Sequence, residues 1–238
     1  MSSSIKVIAF DADDTLWINE PYFQETEKKF CELLEDYLPH HTVAKELLKT
    51  EMANLPLYGY GVKAFMLSMV ETALLVSNYT VGMEVIEKTL QYGKELLAKP
   101  IELLDGVEAV LKALQPHYRL VVATKGDLLD QERKLKNSGI AHYFHHIEIM
   151  SDKQETDYQK LVKHLDIKPD EFAMIGNSLK SDVLPVLAIG GHGFHVPYHT
   201  TWAHEVIEHR VEDVQFKELE NISGLLRVLD VGTIVKEL

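Results

Sequence analysis

The sequence predicts an α/β fold in which a parallel β-sheet carries helices on both faces, with an all-helical domain inserted after the first strand. Three observations predict it. Short apolar segments rich in β-branched residues recur along the chain, which is typical of strands buried on both faces. After residue 100 these segments alternate with amphipathic helical patterns, as in β-α-β crossovers. Between residues 18 and 98, apolar residues recur at helical spacing and the strand pattern is absent.

The composition favours a globular protein with a large buried core. The chain has 238 residues, of which 46% are hydrophobic and 26% charged, enough for one domain with an insertion. Its formal net charge of −13 argues against nucleic acid or an anionic membrane as the main partner. The single cysteine, Cys31, fits a reducing compartment. With no cleavable leader pattern and no apolar stretch long enough to span a bilayer, the cytoplasm is the expected location.

Four helices are predicted within residues 18–98. The first ends at Pro39 and a turn over residues 40–42. The second closes before Pro56, because a proline disfavours helical geometry in the residue before it, and the fourth ends near Pro100. Apolar residues at helical spacing define the four: Phe23, Phe30, Leu33, Leu34 and Tyr37; Val43, Leu47, Leu48 and Met52; Val62, Phe65, Met66, Met69 and Leu74; Val85, Ile86, Leu90, Leu96 and Leu97.

Five strands are predicted, with helices between them outside the inserted region. After the first strand and the insertion, the helices cover about residues 107–114, 127–137, 157–165, 181–189 and 222–229. The strands cover Val7–Phe10, Arg119–Ala123, Ile147–Met150, Phe172–Ile175 and Phe194–Val196.

Three carboxylates and a threonine follow the first strand directly: Asp11, Asp13, Asp14 and Thr15. At the carboxyl end of a parallel strand the chain opens into a crevice where ligands bind. Asp11 and Asp13 fall on the same side, because side chains alternate along a strand, and two close carboxylates hold a cation or share a proton. The alternative is an acidic loop that caps the next helix.

Polar residues also follow three later strands. Thr124 ends the second strand, Lys153 follows the third, and Asn177 and Asp182 follow the fourth. Each has a purely structural alternative. Thr124 and Asn177 could cap helices, Asp182 could be a first-turn acid favoured by the helix dipole, and any lysine could be a surface charge. Lys160, inside the following helix, is the alternative to Lys153.

In family order, these segments resemble the four motifs of the haloacid dehalogenase superfamily, most of whose members are magnesium-dependent phosphatases. Asp11-Ala12-Asp13-Asp14-Thr15 resembles the first motif, Asp-x-Asp-x-Thr. The resemblance implies a Rossmann-like catalytic core of residues 1–17 and 99–238, with residues 18–98 as a helical cap over the strand ends. The chain departs from the family at Asn177, where Asp is usual, and at Gln154, where Pro often follows the lysine.

The resemblance further implies the hydrolysis of a small phosphorylated metabolite through an aspartyl-phosphate. In that reading Asp11 is the nucleophile, Asp13 is the general acid and base, and Thr124 and Lys153 hold the phosphoryl oxygens. Mg²⁺ is the implied cofactor. Its ligands would be the side chains of Asp11 and Asp182, the backbone carbonyl of Asp13 and the amide oxygen of Asn177.

Three other functions remain open from the sequence. A haloacid dehalogenase shares the nucleophile but lacks an acid two residues on, so Asp13 argues against it. A phosphomutase keeps both acids. A degenerate, phosphate-binding regulatory protein would account for Asn177. The histidine-rich segment His192 to His204 is expected to be a loop that rims the cleft beyond the fifth strand, in preference to a zinc site. Neither the individual substrate nor the oligomeric state can be read from the sequence.

Overall fold

A computed structural model describes residues 4–205, 207 and 211–231, and these contain a six-stranded sheet. The strands are β1 (Val7–Phe10), β2 (Arg119–Lys125), β3 (His146–Met150), β4 (Phe172–Gly176), β5 (His192–His195) and β6 (Phe216–Glu218). They lie in the order β3-β2-β1-β4-β5-β6, and β1 pairs in parallel with both β2 and β4. The predicted α/β fold with a parallel sheet is therefore confirmed. The edge strand β6 was not predicted.

Helices cover both faces of the sheet. Along β1, Ile8 and Phe10 pack with residues of α5 and α9, whereas Val7 and Ala9 pack with residues of α7 and α8. No helix of the described residues is both long and apolar enough to cross a lipid bilayer. In chain order the helices are α1 (Glu20–Leu33), α2 (His40–Tyr58), α3 (Val62–Val76), α4 (Met83–Leu97), α5 (Val107–Leu114), α6 (Leu128–Asn137), α7 (Glu155–His164), α8 (Leu184–Ala188) and α9 (Gly224–Val228).

Helix α2 differs from its predicted bounds at both ends. Residues 40–42 form its first turn and not a connecting turn, and the helix continues through Pro56 to Tyr58. The prediction that α2 closes before Pro56 was wrong, because Gly59 sets the end. Gly59 has a φ of 71°, which glycine adopts at little cost, and its N–H still bonds the carbonyl of Leu55 at 2.9 Å.

The chain divides into two compact units. The sheet unit takes the described parts of Met1–Glu20, Ile101–Thr124 and Glu132–Leu238. The helical unit takes Pro21–Pro100 together with Lys125–Gln131. The helical unit has its own core, in which Phe30, Leu47 and Met69 are fully buried.

Within the sheet unit, the segments on either side of the insertion run side by side. We call residues 16–18 and 102–104 the connecting pair. The N–H of Ile18 bonds the carbonyl of Glu102, and the N–H of Leu104 bonds the carbonyl of Leu16, each at 3.0 Å. Between them, Trp17 and Leu103 form an antiparallel bridge. The chain therefore leaves the sheet unit and re-enters it at almost the same point.

Candidate active site

The loop after β1 begins as an extension of the sheet. The N–H of Asp11 bonds the carbonyl of Ile175 on β4 at 2.8 Å, so the sheet fixes the position of Asp11. The chain then makes a tight turn, in which the carbonyl of Ala12 accepts from the N–H groups of Thr15, Leu16 and Trp17 at 2.8–3.3 Å. Because of this turn, Asp11 and Asp13 stay at the strand end.

A buried lysine joins two of the predicted site carboxylates. Lys153 Nζ lies 2.5 Å from Asp11 Oδ1 and 2.6 Å from Asp182 Oδ1. Lys153 is 3% exposed and Asp182 is 1% exposed, so water screens these contacts little. Lys160, the alternative lysine, has a side chain that is 77% exposed and pairs with Asp157 at 3.0 Å. The lysine in contact with Asp11 is therefore Lys153.

The buried cluster has two carboxylates and one ammonium group. Burial raises the pKa of Asp11 to about 7; Lys153 opposes this rise, and Asp182 adds to it. Burial alone would lower the pKa of Lys153, but Asp11 and Asp182 outweigh it and hold that pKa above its ordinary value. The pKa values of Asp11 and Lys153 are thus both raised, and the two shifts are consistent. The two carboxylates stabilise the proton on Lys153, and their mutual repulsion favours a proton on Asp11.

Asp182 reaches the cluster from a π-helical turn, Leu179–Val183, that precedes α8. The N–H of Ser178 bonds Asp182 Oδ2 at 3.0 Å. A Cβ on Gly176 would lie 2.1 Å from the same oxygen, so the carboxylate packs where only glycine leaves room. The helix predicted from about residue 181 thus begins as this π turn, and its α-helical part starts at Leu184. Such single π turns often occur at functional sites.

Thr15 joins Asp11 to the β4 loop. Its Oγ1 lies 3.3 Å from Asp11 Oδ2 and 3.4 Å from Asn177 Oδ1. Thr124 is 2% exposed at the end of β2, two residues beyond Val122, which pairs with Phe10. The sheet thus brings the end of β2 beside the strand end that carries Asp11.

Asp13 has two partners that the sequence analysis did not identify. Trp17 Nε1 donates to Asp13 Oδ1 at 2.7 Å, and Lys134 Nζ donates to the same oxygen at 2.9 Å. Lys134 also donates to Asn19 Oδ1 at 2.7 Å. Trp17 follows Asp13 by four residues and could have been suspected from that spacing. Lys134 lies on α6 among other charged residues, and nothing in the sequence marks it.

The histidine-rich segment was only partly predicted. Its first four residues, His192–His195, are β5 itself and not a loop beyond the fifth strand, because they continue the parallel pairing with β4. His195 Nε2 lies 3.0 Å from the carbonyl oxygen of Asn177. Further on, Glu205 accepts the hydroxyl groups of Ser178 and Ser181 at 2.5 and 2.6 Å. His195 thus fixes the loop after β4, and Glu205, the residue directly after the segment, fixes the turn that carries Asp182.

The donor set at the strand ends fits a magnesium ion. Among the described residues, no three His, Cys, Asp or Glu side chains are grouped so as to hold a metal. A magnesium site would therefore depend on Asp11, Asp182, the amide oxygen of Asn177 and the backbone carbonyl of Asp13. All of these are oxygen donors, which Mg²⁺ prefers. Asp11 and Asp182 share the single ammonium group of Lys153, which leaves a net negative charge that a divalent cation would offset.

Comparison with known proteins finds a matching family and similar solved structures. A sequence model described as haloacid dehalogenase-like hydrolase matches residues 5–190. One solved crystal structure is that of a haloacid dehalogenase-like family hydrolase from Xanthomonas campestris, whose sequence is 35% identical to this chain. The match covers 97% of this chain and 94% of that chain, with a TM-score of 0.86. No curated protein sequence matches the chain.

Two further solved structures share the fold at lower identity. One is a predicted phosphoglycolate phosphatase from Haemophilus somnus 129pt, 17% identical over 95% of this chain and 98% of that chain, with a TM-score of 0.64. The other is a 2-haloacid dehalogenase from Pseudomonas syringae pv. tomato DC3000, 18% identical over the same shares, with a TM-score of 0.64. Identities this low establish the fold alone, and the names of the two proteins describe different activities.

Proposed function

The chain belongs to the haloacid dehalogenase-like hydrolases, and from this premise we propose that it is a magnesium-dependent phosphatase that acts on a small phosphorylated metabolite. The observation that carries the proposal is Asp13, a second carboxyl group two residues after Asp11. An alkoxide is a poor leaving group and needs a proton as it departs, whereas a halide does not. The pair Asp11 and Asp13 therefore fits the cleavage of a phosphate ester better than the displacement of a halide.

In the first step, a carboxylate oxygen of Asp11 attacks the phosphorus atom. A bond forms between that oxygen and phosphorus as the bond from phosphorus to the ester oxygen breaks. Asp13, in its acid form, gives its proton to the departing oxygen, and an alcohol leaves. Asp11 is suited to this role because the backbone bond to Ile175 and the contact with Lys153 fix its position.

In the second step, water attacks the phosphorus atom of the aspartyl-phosphate. Asp13, now a carboxylate, takes a proton from that water, and the bond between phosphorus and the Asp11 oxygen breaks. Inorganic phosphate leaves, and both aspartates return to their starting states. One residue thus supplies the proton in the first step and recovers it in the second.

The remaining site residues bind the phosphate and offset its negative charge. The Lys153 ammonium, already in contact with Asp11, offsets the negative charge that gathers when an anionic phosphate approaches an anionic nucleophile. Thr124 would donate its hydroxyl to a phosphoryl oxygen. Magnesium, held by Asp11, Asp182, Asn177 and the carbonyl of Asp13, would supply further charge neutralisation and orient the phosphate.

We also propose that residues 18–98 act as a cap that selects the substrate. The insertion follows the loop that bears Asp11 and Asp13. Its helical unit includes Lys125–Gln131, the residues directly after Thr124. In that unit, Lys63 pairs with Asp127 at 2.8 Å, and Lys125 Nζ lies 4.1 Å from the centroid of the Tyr60 ring. These contacts support a role for the insertion in fixing the conformation of the residues that follow Thr124.

The test is phosphate release from p-nitrophenyl phosphate with and without magnesium. We expect release that requires magnesium, and its loss in Asp11→Asn with the fold intact by circular dichroism. Asp105→Asn, at an exposed position, is the matched control and should keep wild-type activity. Acid-quenched enzyme should carry a phosphoryl group on the peptide that contains Asp11.

Three outcomes would contradict the proposal. Chloride release from 2-chloropropionate without phosphatase activity would identify a dehalogenase. Conversion of a sugar phosphate to its isomer, with little free phosphate, would identify a phosphomutase. Phosphate binding without turnover, under all metal conditions, would identify a regulatory protein with a degenerate site.

A further inference from the structure

One oxygen of Asp13 receives two donors. Trp17 Nε1 and Lys134 Nζ lie 2.7 and 2.9 Å from Asp13 Oδ1. Trp17 is 1% exposed, and the Lys134 side chain is 13% exposed. Both donors are therefore held by surrounding protein and not by solvent. A carboxylate fixed through two bonds to one oxygen cannot rotate about its side-chain bonds without breaking both.

The donors are themselves anchored. Trp17 belongs to the connecting pair, where its backbone bridges to Leu103. Lys134 Nζ also donates to Asn19 Oδ1 at 2.7 Å. Two oxygens of the loop after β1, from Asp13 and Asn19, therefore fix the position of the ammonium group. Indole N–H and ammonium groups can only donate, so Asp13 Oδ1 is an acceptor. When Asp13 carries a proton, that proton therefore resides on Oδ2.

We propose that Lys134 and Trp17 are positioning residues, which hold Asp13 through Oδ1 so that Oδ2 transfers the proton to and from the reacting oxygen. This inference rests on the proposed phosphatase function. In the first step, the proton leaves Asp13 Oδ2 for the ester oxygen as the bond from that oxygen to phosphorus breaks. In the second step, a proton of the attacking water passes to Oδ2. Lys134 and Trp17 neither gain nor lose a proton in either step.

The test compares two esters that differ in their need for an acid. Phenyl phosphate loses a poorer leaving group than p-nitrophenyl phosphate, and kcat/KM reports the first step. Since general acid catalysis contributes about 10²–10⁴-fold, Lys134→Met should lower kcat/KM for phenyl phosphate by about 30-fold or more and for p-nitrophenyl phosphate by less than about threefold. Lys134→Arg should restore most of the loss, because a guanidinium can donate to the same oxygen.

Three further variants separate positioning from general damage. Trp17→Phe removes the N–H and keeps an aromatic ring, so it should reproduce the leaving-group dependence of Lys134→Met. The matched control is Lys136→Met, at an exposed position on the same helix, which should change neither ester. In an Asp13→Ala background, Lys134→Met should cause no additional loss on phenyl phosphate, because the group that Lys134 holds is gone.

Failure of this inference and failure of the proposed function give different results. If the wild-type enzyme is active, two results overturn the positioning role alone. In one, Lys134→Met loses equal activity on both esters. In the other, the loss in Lys134→Met adds to the loss in Asp13→Ala. A wild-type protein that hydrolyses neither ester overturns both. Thermal unfolding of each variant identifies loss of fold. If Lys134→Met does not fold, the result for Trp17→Phe decides.

Discussion

Asn177 is the one neutral side chain among the proposed side-chain ligands of magnesium. Its amide oxygen lies 3.4 Å from the Thr15 hydroxyl, which also lies 3.3 Å from Asp11. Its backbone carbonyl is held by His195. The residue is thus fixed through both its side chain and its backbone at the end of β4. A carboxylate at this position would add a negative charge to a cluster that already contains more acids than bases.

We predict that Asn177→Asp tightens magnesium activation. Opposite charges a few ångströms apart gain on the order of several kcal/mol at an effective dielectric constant of about 20, much of it lost to desolvation and to repulsion from Asp11 and Asp182. A remainder of about 1.4 kcal/mol would tighten magnesium binding about tenfold. Magnesium titrations of phosphatase activity measure this. Asn221→Asp, at an exposed position, is the control. Magnesium binding that is unchanged or weaker in Asn177→Asp would mean that residue 177 does not contribute a ligand.

Much of the site follows from the sequence because it depends on strand ends. The carboxylates that meet at Lys153 follow β1 and β4, which are neighbours in a parallel sheet, so the proximity of Asp11 and Asp182 follows from the topology. The π turn before α8 does not follow, since the positions of Ser178 and Asp182 fit an ordinary helix start equally well. Lys134 was missed for a related reason. Its contact with Asp13 joins residues 121 positions apart, and the charged surface pattern of α6 conceals it.

Among the helices, α1 and α2 bring two glutamates close together. Burial raises the pKa of Glu51 to about 8, and the charge of Glu27 adds to it. Burial also raises the pKa of Glu27, while His40 lowers it. Glu51 therefore keeps its proton at neutral pH in the folded helical unit. In an unfolded chain, a glutamic acid loses its proton near pH 4.5, so the two states bind different numbers of protons near neutral pH.

Between about pH 4.5 and pH 8, the folded protein keeps the Glu51 proton and the unfolded chain releases it. The free energy of unfolding must therefore fall as pH rises through this window. We predict that Glu51→Gln removes most of this decline and makes the protein more stable by about 1–3 kcal/mol at pH 8.5, with little change at pH 5. Urea unfolding at several pH values measures it. A gain that does not depend on pH would exclude the ionisation of Glu51 as its cause. The exposed Glu87→Gln should show none.

The helix and strand boundaries show where local patterns suffice. The buried strands β1, β2 and β4 were predicted because each lies in a short apolar segment. Strand β6 was missed, since Phe216–Glu218 is three residues long, only partly buried and without an apolar run. It exists because the edge of β5 supplies hydrogen-bond partners. Helix α2 passes Pro56 because the terminating glycine lies three residues later. In both cases tertiary context decides the boundary.

For the whole molecule, the sheet unit closes on itself through the connecting pair, and the helical unit has a separate core. The division does not follow the chain strictly, because Lys125–Gln131 groups with the helical unit. From the sequence, these residues are predicted to belong to the core together with everything after residue 98. Their grouping reflects contacts such as Lys63 with Asp127, which no local pattern reveals.

We predict that replacing residues 21–100 with a short Gly-Ser linker leaves a folded sheet unit. The connecting pair already brings the two ends together, so a few residues can span the gap. Hydrogen exchange should stay slow in β1, β2 and β4. It should accelerate in residues 125–131, which lose Tyr60 and Lys63. The full-length double variant Tyr60→Ala/Lys63→Ala is the control and should show the same local acceleration. Fast exchange throughout the sheet would disprove independent folding.

The connecting pair also bears on the rate at which the protein folds. Val7 of β1 pairs with Arg119 of β2, so forming this pair in an unfolded chain closes a very long loop. If residues 21–100 fold first through their local helix contacts, the flexible chain between the two strands shortens roughly fourfold. At about 0.6 kcal/mol for each halving of loop length, the entropic barrier falls by about 1.2 kcal/mol, which corresponds to a rate about eightfold higher. A large insertion with adjacent ends therefore slows the assembly of the central sheet much less than its length suggests.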